Sequence, residues 1–195
     1  MSILNWVWWV NEKISLVTNS FVRDYHLTKL VWIMADFPIF FTPVFLVSAW
    51  IYWTLKNNDN KKHDLILIFF SVVFSIITNL IIQQIVFEKR PETFVEPLIE
   101  HIPNASFPSD HAAVSFAFLT GLYLFGYKKI FWIYLPFVIL MNFSRIAGWV
   151  HWFWDVVVGA FIGIFWAFIF KKFSHHPILK KVTGFFIKIA KIFKL

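Results

Sequence analysis

Hydrophobic and polar positions alternate along this chain in long blocks. Apolar runs are separated by short charged links, and two runs, Phe37–Leu55 and Leu65–Phe87, carry no charge at all. About 20 mostly apolar residues are needed for a helix to cross a bilayer. The pattern predicts five crossings, over Leu30–Leu55, Leu65–Phe87, Asp110–Tyr127, Ile130–Gly148 and Trp152–Phe170. The last three reach spanning length only by admitting polar residues at one end: Ser109, Asp110 and His111; then Arg145; then His151 with Asp155. Charge at membrane depth is costly, so these residues are marked for function.

Both ends of the chain show a different period. Ile3, Trp6, Val10, Ile14, Val17 and Phe21 recur at steps of three or four, which predicts an amphipathic helix over 1–25 lying in the interface. The same stretch lacks the basic start and the cleavage site of a secretory leader. Near the C-terminus, Ile178, Val182, Phe185, Ile189 and Ile192 line one face, with Lys180, Lys181, Lys188, Lys191 and Lys194 around the rest. That predicts a second surface helix over 176–195, held by anionic lipid. With no repeat and no Gly/Ser linker, residues 1–195 read as one domain: an all-α integral membrane bundle of about five transmembrane helices with amphipathic interfacial helices at both ends.

Composition agrees with this picture and narrows it. Apolar residues make up 59% of the 195 and charged ones 15%, far from the balance of a soluble domain. This excludes a disordered chain, a nucleic-acid-binding tail and an ordinary soluble enzyme. Cysteine is absent, so disulfides, thiolate metal sites and cysteine nucleophiles are excluded too. The net charge of +7 is unevenly divided. Five crossings put 12 of the 18 Lys and Arg, and only 2 of the 11 acids, on one side. The positive-inside rule makes that side cytoplasmic, along with the C-terminus. The expected location is the inner (cytoplasmic) membrane, with the polar span ends facing the periplasm or exterior.

Four polar elements converge on that outer side: Arg90-Pro91, Pro108-Ser109-Asp110-His111, Ser144-Arg145, and His151 with Asp155. Ser109 suits an N-cap, and the helix start behind it offers N–H groups and a dipole to an anion. His111 then lies in the first turn, beside that anion. His151 and Asp155 are four apart and share a helix face, where a carboxylate can orient an imidazole and raise its basicity. Arg90 and Arg145 are planar forks suited to phosphate oxygens. Singly, the arginines would suit headgroup anchors, and His151 an aromatic belt with Trp149, Trp152 and Trp154. Together they form a set for phosphoryl transfer: a nucleophile with its orienter, a second histidine, two guanidiniums and a helix start. Such a set requires no metal or other cofactor, and no carboxylate cluster of the magnesium kind is present. Asp36 reads as an interface residue with no chemistry. His26 and His101 could join the outer site, though their spacing does not require it.

In order and spacing, these motifs resemble the type-2 phosphatidic acid phosphatase superfamily, mostly integral membrane lipid phosphatases. The stretch Val86-Phe87-Glu88-Lys89-Arg90-Pro91, the Pro-Ser-Asp-His motif and the small size look most like its bacterial undecaprenyl-diphosphate phosphatase branch. The resemblance implies that His151 attacks phosphorus and becomes phosphohistidine, and that Asp155 orients it. It further implies that His111 protonates the leaving group and then activates water, while Arg90, Ser109 and Arg145 hold the phosphate. Two positions depart from the family pattern. Gln83 stands where a lysine is usual; it still faces the site but brings no charge, so that contact is weaker or comes from Lys89. Asp110 stands where glycine is usual, and either turns away from the phosphate or contributes its backbone N–H.

The expected substrate is a lipid phosphate or diphosphate, undecaprenyl diphosphate first. The alternatives are lipid A 1-phosphate, phosphatidylglycerol phosphate or phosphatidate. Expected partners are this lipid and the bilayer, with no nucleic acid. An anion transporter is the non-enzyme alternative; it would place polar residues deeper in the spans, whose middles hold only small or amide groups in the second, third and fifth.

Overall fold

The computed structural model describes residues 3–91, 96–99 and 105–193. All regular structure among them is helical. In chain order the helices are α1 (Ile3–Asp24), α2 (Thr28–Asp36), a 3₁₀ turn (Phe37–Phe40), α3 (Phe41–Leu55), α4 (Asp59–Ile85), α5 (Asp110–Leu124), α6 (Lys128–Ala147), α7 (Phe153–Lys172) and α8 (Pro177–Ile192). Four segments are long and apolar enough to cross a membrane: Thr28–Leu55, Asp59–Ile85, Lys128–Ala147 and Phe153–Lys172. The chain is an all-α membrane protein.

Two of the expected spans differ in form. The first is not one helix, because Pro38 interrupts it. Proline cannot donate an N–H to the helical ladder, and the chain tightens into the 3₁₀ turn between α2 and α3. Tyr134 from α6 donates its hydroxyl to the Pro38 carbonyl at 2.7 Å and pins the break. The third span is shorter than expected. α5 has 15 residues and stops before Gly126, whose φ of +91° closes the helix. At 1.5 Å per residue it is roughly 22 Å long. It is shielded from lipid along most of its length, with Ala113, Ala117, Phe118 and Leu122 among its buried residues, packed between α4, α6 and α7. α4 begins at Asp59, six residues before the apolar run, because Asn58 caps it by accepting from the Lys61 N–H at 3.0 Å.

The α5–α7 crossing sets the site. Gly159 and Gly163 present backbone, not side chains, to α5. A Cβ at Gly159 would collide with the Ser109 carbonyl and stand 3.1 Å from the Ala112 methyl. One at Gly163 would collide with the Ala113 carbonyl and stand 2.6 Å from the Ala117 nitrogen. Small residues spaced by four let two helix backbones meet. This contact brings the start of α5, with Ser109 and His111, against the start of α7, with Asp155.

The terminal helices are oriented opposite to soluble amphipathic helices. α1 turns Asn11, Ser15, Asn19 and Val22 inward, where Asn11 Oδ1 accepts from the Trp154 N–H and Asn19 Nδ2 donates to the Ala147 carbonyl at 2.7 Å. Trp6, Val17 and Phe21 of its predicted apolar face are exposed, while Ile14 packs partly buried against Ile146 and Val156. α8 behaves alike. Thr183 and Ile187 are buried, His63 of α4 contacts Thr183 Oγ1 at 2.6 Å, and Ile178, Phe185 and Ile192 point outward. Lys194 lies outside the described residues.

Candidate active site

Arg90 lies in the irregular segment that follows α4 and is buried. Its Nη1 donates to the Val150 carbonyl at 2.6 Å, and its Nη2 to the Ala105 carbonyl at 3.3 Å. Arg145 closes the last turn of α6 with 1% of its surface exposed. His151 sits in the turn between α6 and α7, also buried. Residues 61 positions apart are thereby joined: Arg90 Nη1 lies 3.2 Å from His151 Nε2, and Arg145 Nη2 lies 3.4 Å from the same nitrogen.

The opposite ring nitrogen decides the tautomer. His151 Nδ1 lies 3.0 Å from the Ser106 carbonyl oxygen. A carbonyl only accepts, so Nδ1 carries the hydrogen and Nε2 keeps its lone pair. That lone pair faces two guanidiniums. Asp155 is more distant, with Oδ2 at 3.5 Å from Nδ1. The carboxylate is fully buried and accepts from the Ser106 hydroxyl and from the Trp152 N–H at 2.9 Å. Ser106 thus contacts both members of the His–Asp pair, with its carbonyl on one and its hydroxyl on the other. A lone serine before Pro108 has no spacing signal that could reveal this in the sequence.

Ser109 caps α5, its hydroxyl accepting from the Ala112 N–H at 3.5 Å. Its own N–H is spent on the Asp155 carbonyl at 3.0 Å, which ties the two helix starts together. Asp110 turns away from the arginines. Its Oδ1 accepts from Asn79 Nδ2 at 3.0 Å and from Gln83 Nε2 at 3.3 Å, both on α4. Gln83 also donates to the Pro108 carbonyl at 3.2 Å. The two departures from the family pattern therefore touch each other: Gln83 faces the motif loop, and its amide is spent there.

Lys89 projects elsewhere. Its side chain is exposed in a shallow groove with Trp8, Val86, Phe87 and Glu88, and only its carbonyl reaches inward, accepting from Trp152 Nε1 at 3.0 Å. Burial pushes the neighbouring Glu88 carboxyl above the usual carboxylate range. His26 is exposed, and His101 lies outside the described residues.

Asp36, read from sequence as an interface residue without chemistry, needs correcting. Its Oδ1 accepts from Arg145 Nη1 at 2.6 Å and lies 3.0 Å from His111 Nε2. The kink at Pro38 ends α2 at this level, where the sequence pattern places the outer end of one long span. Among the described residues no three His, Asp or Glu side chains converge as a metal site.

An apolar groove of about 450 Å³ starts at the next residue, Phe37, and is walled by Phe40, Phe41, Val44, Ile133 and Phe137.

Comparison with known proteins agrees with this architecture. The PAP2 superfamily matches residues 64–177. The "Bacitracin transport permease protein BcrC" of Bacillus licheniformis is 30% identical over 148 residues, which is 75% of this chain and 71% of that protein. The "Undecaprenyl-diphosphatase BcrC" of Bacillus subtilis (strain 168) is 30% identical over 150 residues, 76% and 75% of the two chains. The crystal structure of Aquifex aeolicus LpxE has a similar fold, with a TM-score of 0.65 at 23% identity over 83% of this chain and 94% of that one. The chain therefore belongs to the PAP2 superfamily, and with it to the lipid phosphatases, as the order of its motifs implied.

Proposed function

We propose that this protein hydrolyses the terminal phosphate of a polyprenyl diphosphate, undecaprenyl diphosphate, at the outer face of the cytoplasmic membrane. The observation that carries the reading is His151 Nε2, a lone pair held between Arg90 and Arg145. An anion drawn in by two guanidiniums meets a nucleophile of fixed tautomer. Nε2 attacks the terminal phosphorus as the bond to the leaving oxygen breaks. His111 gives that oxygen its proton. Water then attacks the phosphohistidine, His111 takes the water's proton, and inorganic phosphate leaves. Among the described residues Arg145 Nε is buried without a hydrogen-bond partner, and a phosphate oxygen would supply one. Asp155 and Ser106 hold His151, and Ser109 holds the two helix starts in register.

The groove beginning at Phe37 suits the hydrocarbon chain. Its wall residues Ile133 and Phe137 lie twelve and eight positions before Arg145 on α6. This places it roughly 12–18 Å deeper along the helix, where a lipid tail would hang from a phosphate at the surface. The exposed apolar faces of α1 and α8 suit helices resting in the two interfaces, with the Lys-rich α8 on the cytoplasmic side. The undecaprenyl-diphosphatase relative favours this substrate over other lipid heads.

The test is phosphate release by the purified protein from undecaprenyl diphosphate, lipid A and phosphatidylglycerol phosphate. Undecaprenyl diphosphate is expected to turn over fastest, and His151→Ala to abolish release and trapped phosphoenzyme alike. Retained turnover in that variant would refute the phosphohistidine route.

A further inference from the structure

Asp36 joins two groups that the phosphatase reading uses. A carboxylate only accepts, so the 3.0 Å contact puts a hydrogen on His111 Nε2. The same oxygen holds Arg145 at 2.6 Å. The backbone carrying Asp36 is anchored independently of its carboxylate. Ala35 is buried against α6, the Ala35 carbonyl accepts from Arg145 Nη1 at 3.4 Å, and Tyr134 pins Pro38. Asp36 also lies outside residues 64–177, the part that matches the family.

We propose that Asp36 is the positioning residue for His111, doing for the acid–base histidine what Ser106 and Asp155 do for His151. This rests on the phosphatase reading. With Nε2–H held by Asp36, the ring cannot rotate freely, and Nδ1 becomes the nitrogen that exchanges a proton with substrate. In the first step the Nδ1 proton of the imidazolium passes to the leaving oxygen as its bond to phosphorus breaks. His111 is left neutral, with Nε2–H still on Asp36. In the second step Nδ1 takes a proton from the attacking water. The water oxygen bonds to phosphorus, the P–N bond breaks, and its electron pair returns to His151 Nε2. The carboxylate stabilises the imidazolium that each cycle regenerates. The shared oxygen also fixes the guanidinium of Arg145, whose other nitrogen faces His151.

The test uses the purified full-length chain with two soluble esters of unequal leaving groups, phenyl phosphate and 4-nitrophenyl phosphate. A general acid matters most where the leaving group is poor. Asp36→Ala is expected to lower kcat/KM on phenyl phosphate by about 10- to 100-fold, and on 4-nitrophenyl phosphate by roughly threefold at most. Asp36→Asn keeps the shape without the charge and should show the same split, and Asp36→Glu should restore part of the loss. Equal losses on both esters from folded Asp36→Asn protein, or a loss confined to KM, would overturn the assignment. A wild-type protein releasing no phosphate from undecaprenyl diphosphate or either ester would instead refute the phosphatase reading itself.

Discussion

The hydroxyl of Ser106 donates to the carboxylate of Asp155, while the Ser106 carbonyl accepts from His151. One residue of a loop therefore couples a buried acid to the imidazole it supports. Ser106→Ala keeps the carbonyl and removes the hydroxyl. A buried carboxylate losing a donor costs about 1–3 kcal/mol. The variant should unfold at lower temperature, and kcat should fall by roughly tenfold or more with a smaller change in KM. Thermal unfolding in detergent and steady-state kinetics read the two effects.

Gln83 and Asp110 form a pair, so their substitutions should not add. Gln83→Lys alone places an ammonium beside the Asp110 carboxylate, and the new ion pair should leave KM for phosphate esters within about threefold of wild type. In Gln83→Lys with Asp110→Gly the lysine loses that partner and becomes able to bind phosphate, so KM should fall below either single variant. A double-mutant cycle on KM is expected to give a coupling of about 0.5–3 kcal/mol. Additive effects would show that the two residues act separately.

Methyl groups at the α5–α7 contact should be poorly tolerated. Gly163→Ala forces a Cβ into the Ala113 carbonyl, and overpacking of this kind costs about 1–3 kcal/mol. Because the same contact sets the two helix starts, activity should fall with stability. Gly184→Ala on α8 meets nothing within 4 Å and replaces a poor helix former. It should leave activity unchanged and raise the unfolding temperature slightly.

Glu88 carries a pH signature. Its carboxyl is raised by burial, so the folded state binds this proton at higher pH than the unfolded chain does. The ionised group therefore costs stability above its folded pKa, and that cost disappears as the pH falls below the ordinary carboxylate range. Glu88→Gln should raise the unfolding temperature at neutral pH, and the gain should fade on acidification. Unfolding curves of both proteins across that range check the sign.

Much of this molecule follows from local pattern. Apolar runs of spanning length have no stable alternative to helices in a bilayer, since every backbone N–H and C=O must be satisfied internally. For that reason α4, α6 and α7 were legible from composition and length. The Ser109 cap and the inward set of Arg90, Arg145, His151 and Asp155 were legible too, because charge is expensive at membrane depth and stands out against an apolar background. Tertiary contact decided the rest. Lys89 and Arg90 are neighbours in sequence, yet one side chain is exposed and the other buried, because the chain leaves the helix at Ile85 and helical spacing no longer applies. Gln83 met Asp110 and the Pro108 carbonyl, Ser106 came between His151 and Asp155, and Asp36 reached His111 and Arg145 beside a proline kink. None of these has a period or a motif, because hydrogen bonds between remote loops and helix ends depend on where helices cross. Those crossings depend on side chains as small as Gly159 and Gly163, whose effect exists only once two helices meet.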